Sequence, residues 1–212
     1  MMKKKIWVAG ISLIAWFACG LQLFILIDNT PANGLTVLQA VGRFLNFFTI
    51  LTNLLIAVSL TFVFFDRSQG GFFAKPAVAT AIAMYIFIVG LLYNLVLRSL
   101  WHPVGLQKVA DELLHVFVPL LFLIYWILFI DKSSLRWTAA FKWLIYPAVY
   151  FAYAMVRGYL EGFYPYPFID ANKLSSVNIA VNCAGLLVLF LGIGLLFIWI
   201  GRKINPPTLV SQ

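Results

Sequence analysis

The sequence is poor in charge: 10% of its 212 residues are Asp, Glu, Lys or Arg, against roughly a quarter in ordinary globular domains. With 63% of its residues hydrophobic, a water-soluble chain of this length has no core large enough to hide its apolar surface. Cysteine is scarce. Cys19 and Cys183 both sit inside apolar runs, where a thiol is a small packing residue rather than half of a disulfide framework. Histidine is equally scarce. His102 and His115 come with no HExxH motif and no paired-cysteine spacing, so no zinc set can be assembled. There is no glycine-rich phosphate loop, internal repeat or low-complexity tract, and no cofactor is implied.

What the chain has is long apolar runs. Six can be marked, at about 6–27, 44–65, 77–97, 113–130, 137–155 and 177–200, each near the roughly 20 residues that cross a bilayer as a helix. Turn chemistry separates them, as in Asp28-Asn29-Thr30-Pro31, Asp66-Arg67-Ser68-Gln69-Gly70-Gly71, Trp101-His102-Pro103 and Asp131-Lys132-Ser133-Ser134. The expectation is an all-α integral membrane bundle of six transmembrane helices, with residues 1–212 forming one domain. The start, MMKKKIWVAGISLIAWFACG, resembles a signal peptide, but its apolar run continues to Ile27. An uncleaved first helix is therefore expected.

The net charge of +8 invites a nucleic-acid partner, and its distribution argues against one. The cations stand at the ends of apolar runs, as topology signals and headgroup anchors do. Lys3, Lys4, Lys5, Arg67, Lys75, Lys132, Arg136, Lys142, Arg202 and Lys203 fall on one side, against Arg43, Arg98, Lys108, Arg157 and Lys173 on the other. That asymmetry predicts that both termini are cytoplasmic. The N-terminal lysines and compact loops suit a bacterial inner membrane. Five of the seven acids, Asp28, Asp111, Glu112, Glu161 and Asp170, fall on the outer side, so polar chemistry is concentrated there.

Polar side chains within spans are costly and are functional candidates by default. Asn46, Thr49 and Asn53 follow i, i+3, i+7 spacing, which would align them on one face of the second helix. Asn94 and Arg98 share a face near the outer end of the third, and Asp111, Glu112 and His115 open the fourth. Tyr150, Tyr153 and Arg157 line the end of the fifth, and Asn178 and Asn182 start the sixth. All lie at similar depth on one side. Plainer readings exist for each: a threonine bonding its own i−4 carbonyl, an asparagine joining helices, an arginine reaching headgroups. His115 is the one histidine within a run, with two carboxylates a turn away. A histidine so placed is suited to taking a proton from a threonine hydroxyl, which is otherwise a weak nucleophile. Asn or Arg donors would then stabilise an oxyanion or hold a carboxylate.

Three stretches carry a resemblance. GRFLNFFTILTNLL (42–55) resembles the threonine segment of the androgen-induced family of membrane proteins, which includes the androgen-dependent TFPI-regulating protein and bacterial relatives. Thr49 stands at its threonine, and Asn53 stands near its polar follower with a gap one residue longer than in the animal pattern. DELLHVFVPLLFLIYW (111–126) is similar to its His-then-Pro segment, at His115 and Pro119. GFYPYPFID (162–170) looks like its Tyr-Pro-Phe loop, at Tyr166, Pro167 and Phe168. Animal members are atypical hydrolases of fatty acid esters of hydroxy fatty acids. The resemblance implies Thr49 as nucleophile and His115 as base, with a lipid or fatty-acid ester as substrate. Arg43, Asn46, Asn53, Asn94, Arg98, Asp111, Glu112, Arg157, Tyr166 and Asn182 are the candidate supporting residues. Two other readings of the same polar cluster are a small transporter, channel or lipid-binding protein, and a structural partner whose polar groups only pack helices.

Overall fold

A computed structural model describes residues 2–66 and 70–205, apart from the side chain of Asn33. Arg67, Ser68 and Gln69, read above as part of a charged turn, lie outside the described residues. Among the described residues there is no strand, and six helices are long and apolar enough to cross a membrane. They are Met2–Asp28, Phe48–Phe65, Pro76–Leu100, Gly105–Phe129, Ala139–Glu161 and Ser176–Ile204. The protein is an integral, multi-pass membrane protein.

The ends of the helices follow local chemistry. The third span opens on Pro76, whose missing N–H is not needed in a first turn. The fifth ends at Gly162, which takes the left-handed conformation (φ 67°) and returns its N–H to the carbonyl of Gly158 at 2.8 Å. Ser175 caps the sixth by accepting from the N–H of Asn178, and Arg202 and Lys203 occupy its negative end.

Inside the bundle, small residues allow close approach and hydroxyls find partners. Ser12, Ala15 and Ala18 of the first span are buried, and the Ser12 hydroxyl donates to the carbonyl of Ala57 on the second at 3.1 Å. Trp126 Nε1 donates to Thr80 at 2.9 Å, and the Tyr85 hydroxyl to the carbonyl of Trp143 at 2.7 Å. The fifth span is held by aromatic contacts: Phe48 lies 5.2 Å from Tyr146 and 4.9 Å from Tyr150 between ring centroids. At the opposite end from the polar cluster, Lys132 is fully buried, and its ammonium donates to the carbonyls of Trp126, Ile127 and Ile130. It closes the last turn of the fourth span, where a cation meets the negative end of the helix.

The boundaries depart from the sequence reading in two places that matter. The apolar run from 44 is not one helix. A separate helix, Val37–Leu45, opens with a Thr36–Gln39 capping box and ends at Asn46, and the second span begins only at Phe48. Asn46 is therefore the C-cap of that shorter helix and does not share a helix face with Thr49 and Asn53. The fourth span begins at Gly105, two turns before the run suggested, because Gln107, Lys108, Asp111 and Glu112 are helical despite their polarity.

Candidate active site

The break before Phe48 places Thr49 in the first turn of the second span. Phe47 is extended (φ −87°, ψ 127°), and no side chain caps the helix locally. The first N–H groups of any helix lack intrahelical acceptors, and here a phenol oxygen supplies one. The N–H of Thr49 donates to the Tyr166 hydroxyl at 3.4 Å. Tyr150 donates to the carbonyl of Asn46 at 2.8 Å. Thr49 thus sits at the positive end of a helix dipole, in apolar surroundings that screen it little. Burial pushes the Tyr166 phenol above its ordinary value, with hydrogen bonds to Thr49 and Phe48 opposing the shift, so it is present as O–H.

His115 is placed by an irregularity. Leu113–Phe117 is a π-helical turn, as is Tyr93–Leu97 on the third span beside it; such turns widen a helix and re-aim its side chains. The fourth span has a cause for this at Pro119, which has no N–H to offer the carbonyls of Leu114 and His115 behind it. Both carbonyls are met from other helices. Asn53 Nδ2 donates to the carbonyl of Leu114 at 3.2 Å and to that of Thr49 at 2.8 Å. Asn94 Nδ2 donates to the carbonyl of His115 at 3.4 Å. The third span can come this close because residue 90 is glycine: a Cβ there would stand 3.2 Å from the His115 carbonyl oxygen.

The imidazole itself is held on two sides. Its Nδ1 is 2.9 Å from the main-chain carbonyl of Asp111 and 3.3 Å from the carboxylate. These acceptors keep the proton of the neutral ring on Nδ1 and leave Nε2 as the basic atom. The Tyr93 ring stacks on the imidazole, 3.8 Å between centroids and 15° from parallel, and its hydroxyl donates to the other oxygen of Asp111. Asp111 is buried and is the acid that orients His115. Glu112 points elsewhere, to Arg98 at 2.6 Å.

Two cavities meet at this place. The larger, about 500 Å³, is lined by Thr49, His115, Asp111, Tyr93 and Tyr166, with Gln22, Gln107 and Trp101 further out. The smaller, about 170 Å³, lies between the third, fifth and sixth spans and is lined almost wholly by apolar side chains and Cys183. Thr49, Tyr93, Leu97 and Tyr166 line both and form the wall between them. No hydrogen bond joins Thr49 to His115 among the described residues; the two face a shared space.

The remaining sequence candidates surround this centre. Arg157 Nε donates to Asn46 Oδ1 at 3.0 Å, and its guanidinium pairs with Glu161 at 2.7 Å. Arg43 lies over the Phe163 ring at 4.8 Å. Asn182 Nδ2 donates to the carbonyl of Phe168 at 2.8 Å and ties down the loop that carries Tyr166. Arg43, Arg98 and Arg157 line neither cavity. Thr52 is fully buried and its hydroxyl pairs with Tyr146 at 3.4 Å, outside both cavities. Tyr93, Gln22 and Gln107 were missed from the sequence. Gln22 carried a signal, as the one amide deep in the first apolar run. Tyr93 carried none apart from its place beside Asn94. Among the described residues no group of three His, Cys, Asp or Glu side chains forms a metal site. Comparisons of the chain with protein-family models, with curated proteins and with solved structures find no match.

Proposed function

We propose that the protein is an intramembrane lipid-ester hydrolase in which Thr49 is the nucleophile, His115 the general base and Asp111 the residue that orients it. The observation that carries this reading is that Thr49, at a helix N-terminus, and an imidazole oriented by Asp111 line one cavity of about 500 Å³. A nucleophile, a base and a group holding the base are the minimal set for acyl transfer. In this scheme His115 Nε2 takes the Thr49 proton, reached directly or through one water, as the ester is bound. Thr49 Oγ1 bonds to the ester carbon. The negative charge that develops on the carbonyl oxygen is met by the Tyr166 O–H. Collapse breaks the bond to the alcohol oxygen, which leaves with the proton from His115, and water, activated by the same imidazole, releases the acid from Thr49.

The resemblance to the androgen-induced family points to the same two residues and to fatty acid esters of hydroxy fatty acids as the substrate type. The cation asymmetry supports an orientation with both termini cytoplasmic and the site in the outer leaflet, in a bacterial inner membrane. Hydrolysis of long-chain esters by purified protein in detergent tests the reading. Thr49→Ala and His115→Ala each remove turnover while the protein elutes as wild type; wild-type rates in both rule the mechanism out.

One observation favours a second reading, a lipid-binding or transport protein: Thr49 is bonded to Tyr166 through its N–H, and among the described residues no hydrogen bond joins it to His115. On that reading the purified protein binds or moves lipid without hydrolysis and is indifferent to Thr49→Ala.

A further inference from the structure

Resting on the hydrolase reading, the geometry assigns the two arms of the ester to different cavities: the acyl chain to the smaller and the alcohol portion to the larger. The assignment follows from where the proton must go. The imidazole that accepts the Thr49 proton is also the group that returns it to the departing alcohol oxygen. His115 lines the larger cavity and not the smaller. With the ester carbon at Thr49, on the wall between the two, the alcohol oxygen must therefore face the larger cavity, and the acyl chain extends the other way. Thr49 and Tyr166 line both spaces, so one ester group can reach the nucleophile and have an arm in each.

The linings agree with this division. The smaller cavity offers an acyl chain little but hydrocarbon beyond Thr49 and the tyrosines, and it is bounded by Cys183, Leu186 and Phe190. The larger carries an amide pair, Gln22 and Gln107, whose side chains bond to each other reciprocally at 3.4 and 2.8 Å. An alcohol portion bearing a polar group has donors and acceptors there. An acyl chain bearing one does not. The protein is accordingly selective for acyl length and tolerant of the alcohol, with the limit on acyl length set by Cys183 and Leu186.

The test is a two-way ester panel in which acyl length varies at a fixed long alcohol and alcohol length varies at a fixed short acyl group. Wild type, Cys183→Trp and Leu186→Ala are compared. Cys183→Trp should lose 10-fold or more in kcat/KM for long acyl chains relative to acetyl esters of the long alcohol, and elution as wild type shows that the variant is folded. Leu186→Ala should move the preferred acyl length upward with the alcohol profile unchanged. Changes confined to the alcohol series, or an acyl profile identical in all three proteins, overturn the assignment and leave the hydrolase reading standing. Absence of turnover by wild type across the whole panel overturns both.

Discussion

The Nδ1 of His115 is 3.3 Å from the carboxylate of Asp111 and 2.9 Å from the same residue's main-chain carbonyl. One turn of helix therefore supplies both acceptors for one ring nitrogen, and the opposite nitrogen is the one available to chemistry. The i, i+4 spacing alone permits the carboxylate contact. The π turn at Leu113–Phe117 and the stacked ring of Tyr93 accompany it.

Asp111→Asn should therefore keep the fold and lower turnover by about 100-fold or more, since an amide can hold the ring in the wrong tautomer and cannot offset an imidazolium. Ester hydrolysis and the elution profile of the variant check this. Glu112→Gln, by contrast, changes turnover by less than about 3-fold, because Glu112 faces Arg98 in a part-exposed ion pair of small energetic weight.

Pro119→Ala restores an N–H behind the π turn. The new donor competes with Asn53 and Asn94 for the carbonyls of Leu114 and His115, and His115 turns relative to Thr49. The expected outcome is a thermal midpoint equal to or above wild type, with turnover reduced about 10-fold or more. A drop in both together shows that the proline serves stability alone.

Asn53 bonds the second span to the fourth, donating to the carbonyls of Thr49 and Leu114. Asn53→Leu removes both hydrogen bonds from a buried position, at a cost of about 1–3 kcal/mol. A lowered unfolding midpoint in detergent checks it.

Tyr166→Phe removes the acceptor for the Thr49 N–H and a donor to the developing oxyanion, and turnover should fall roughly 10- to 1000-fold. The phenol also has a pH signature. Its pKa is raised by burial above the ordinary 10.0, so the stability tied to its neutral form is fully present below pH 10 and lost as pH rises further. The midpoint difference between wild type and Tyr166→Phe is then flat below pH 10 and shifts against wild type above it, as thermal unfolding across that range measures.

The six spans were legible because a run of about 20 apolar residues has few alternatives in any fold. Thr49, Asn53, His115 and Asp111 were legible for the same physical reason, since polar groups are expensive in lipid and stand out there. The helix break at Asn46 and Phe47 was not legible. The run 44–65 has no glycine or proline to mark a break, and what stabilises the interruption is distant: about a hundred residues along the chain, the Tyr166 hydroxyl accepts from the Thr49 N–H and the Tyr150 hydroxyl donates to the carbonyl of Asn46. The roles of Asn53 and Asn94 were hidden likewise, because their partners are carbonyls released by Pro119 on a different helix. Spacing arguments see one helix at a time. Here the chemistry arises where three of them exchange hydrogen bonds.

The central claim, an activated threonine, is tested most directly by labelling purified protein with a lipid-like fluorophosphonate and locating the adduct by peptide mass mapping. The account predicts an adduct on Thr49 in wild type and none in Thr49→Ala or His115→Ala, both eluting as folded protein. An adduct on any other residue, or equal labelling of Thr49 when His115 is alanine, would contradict it.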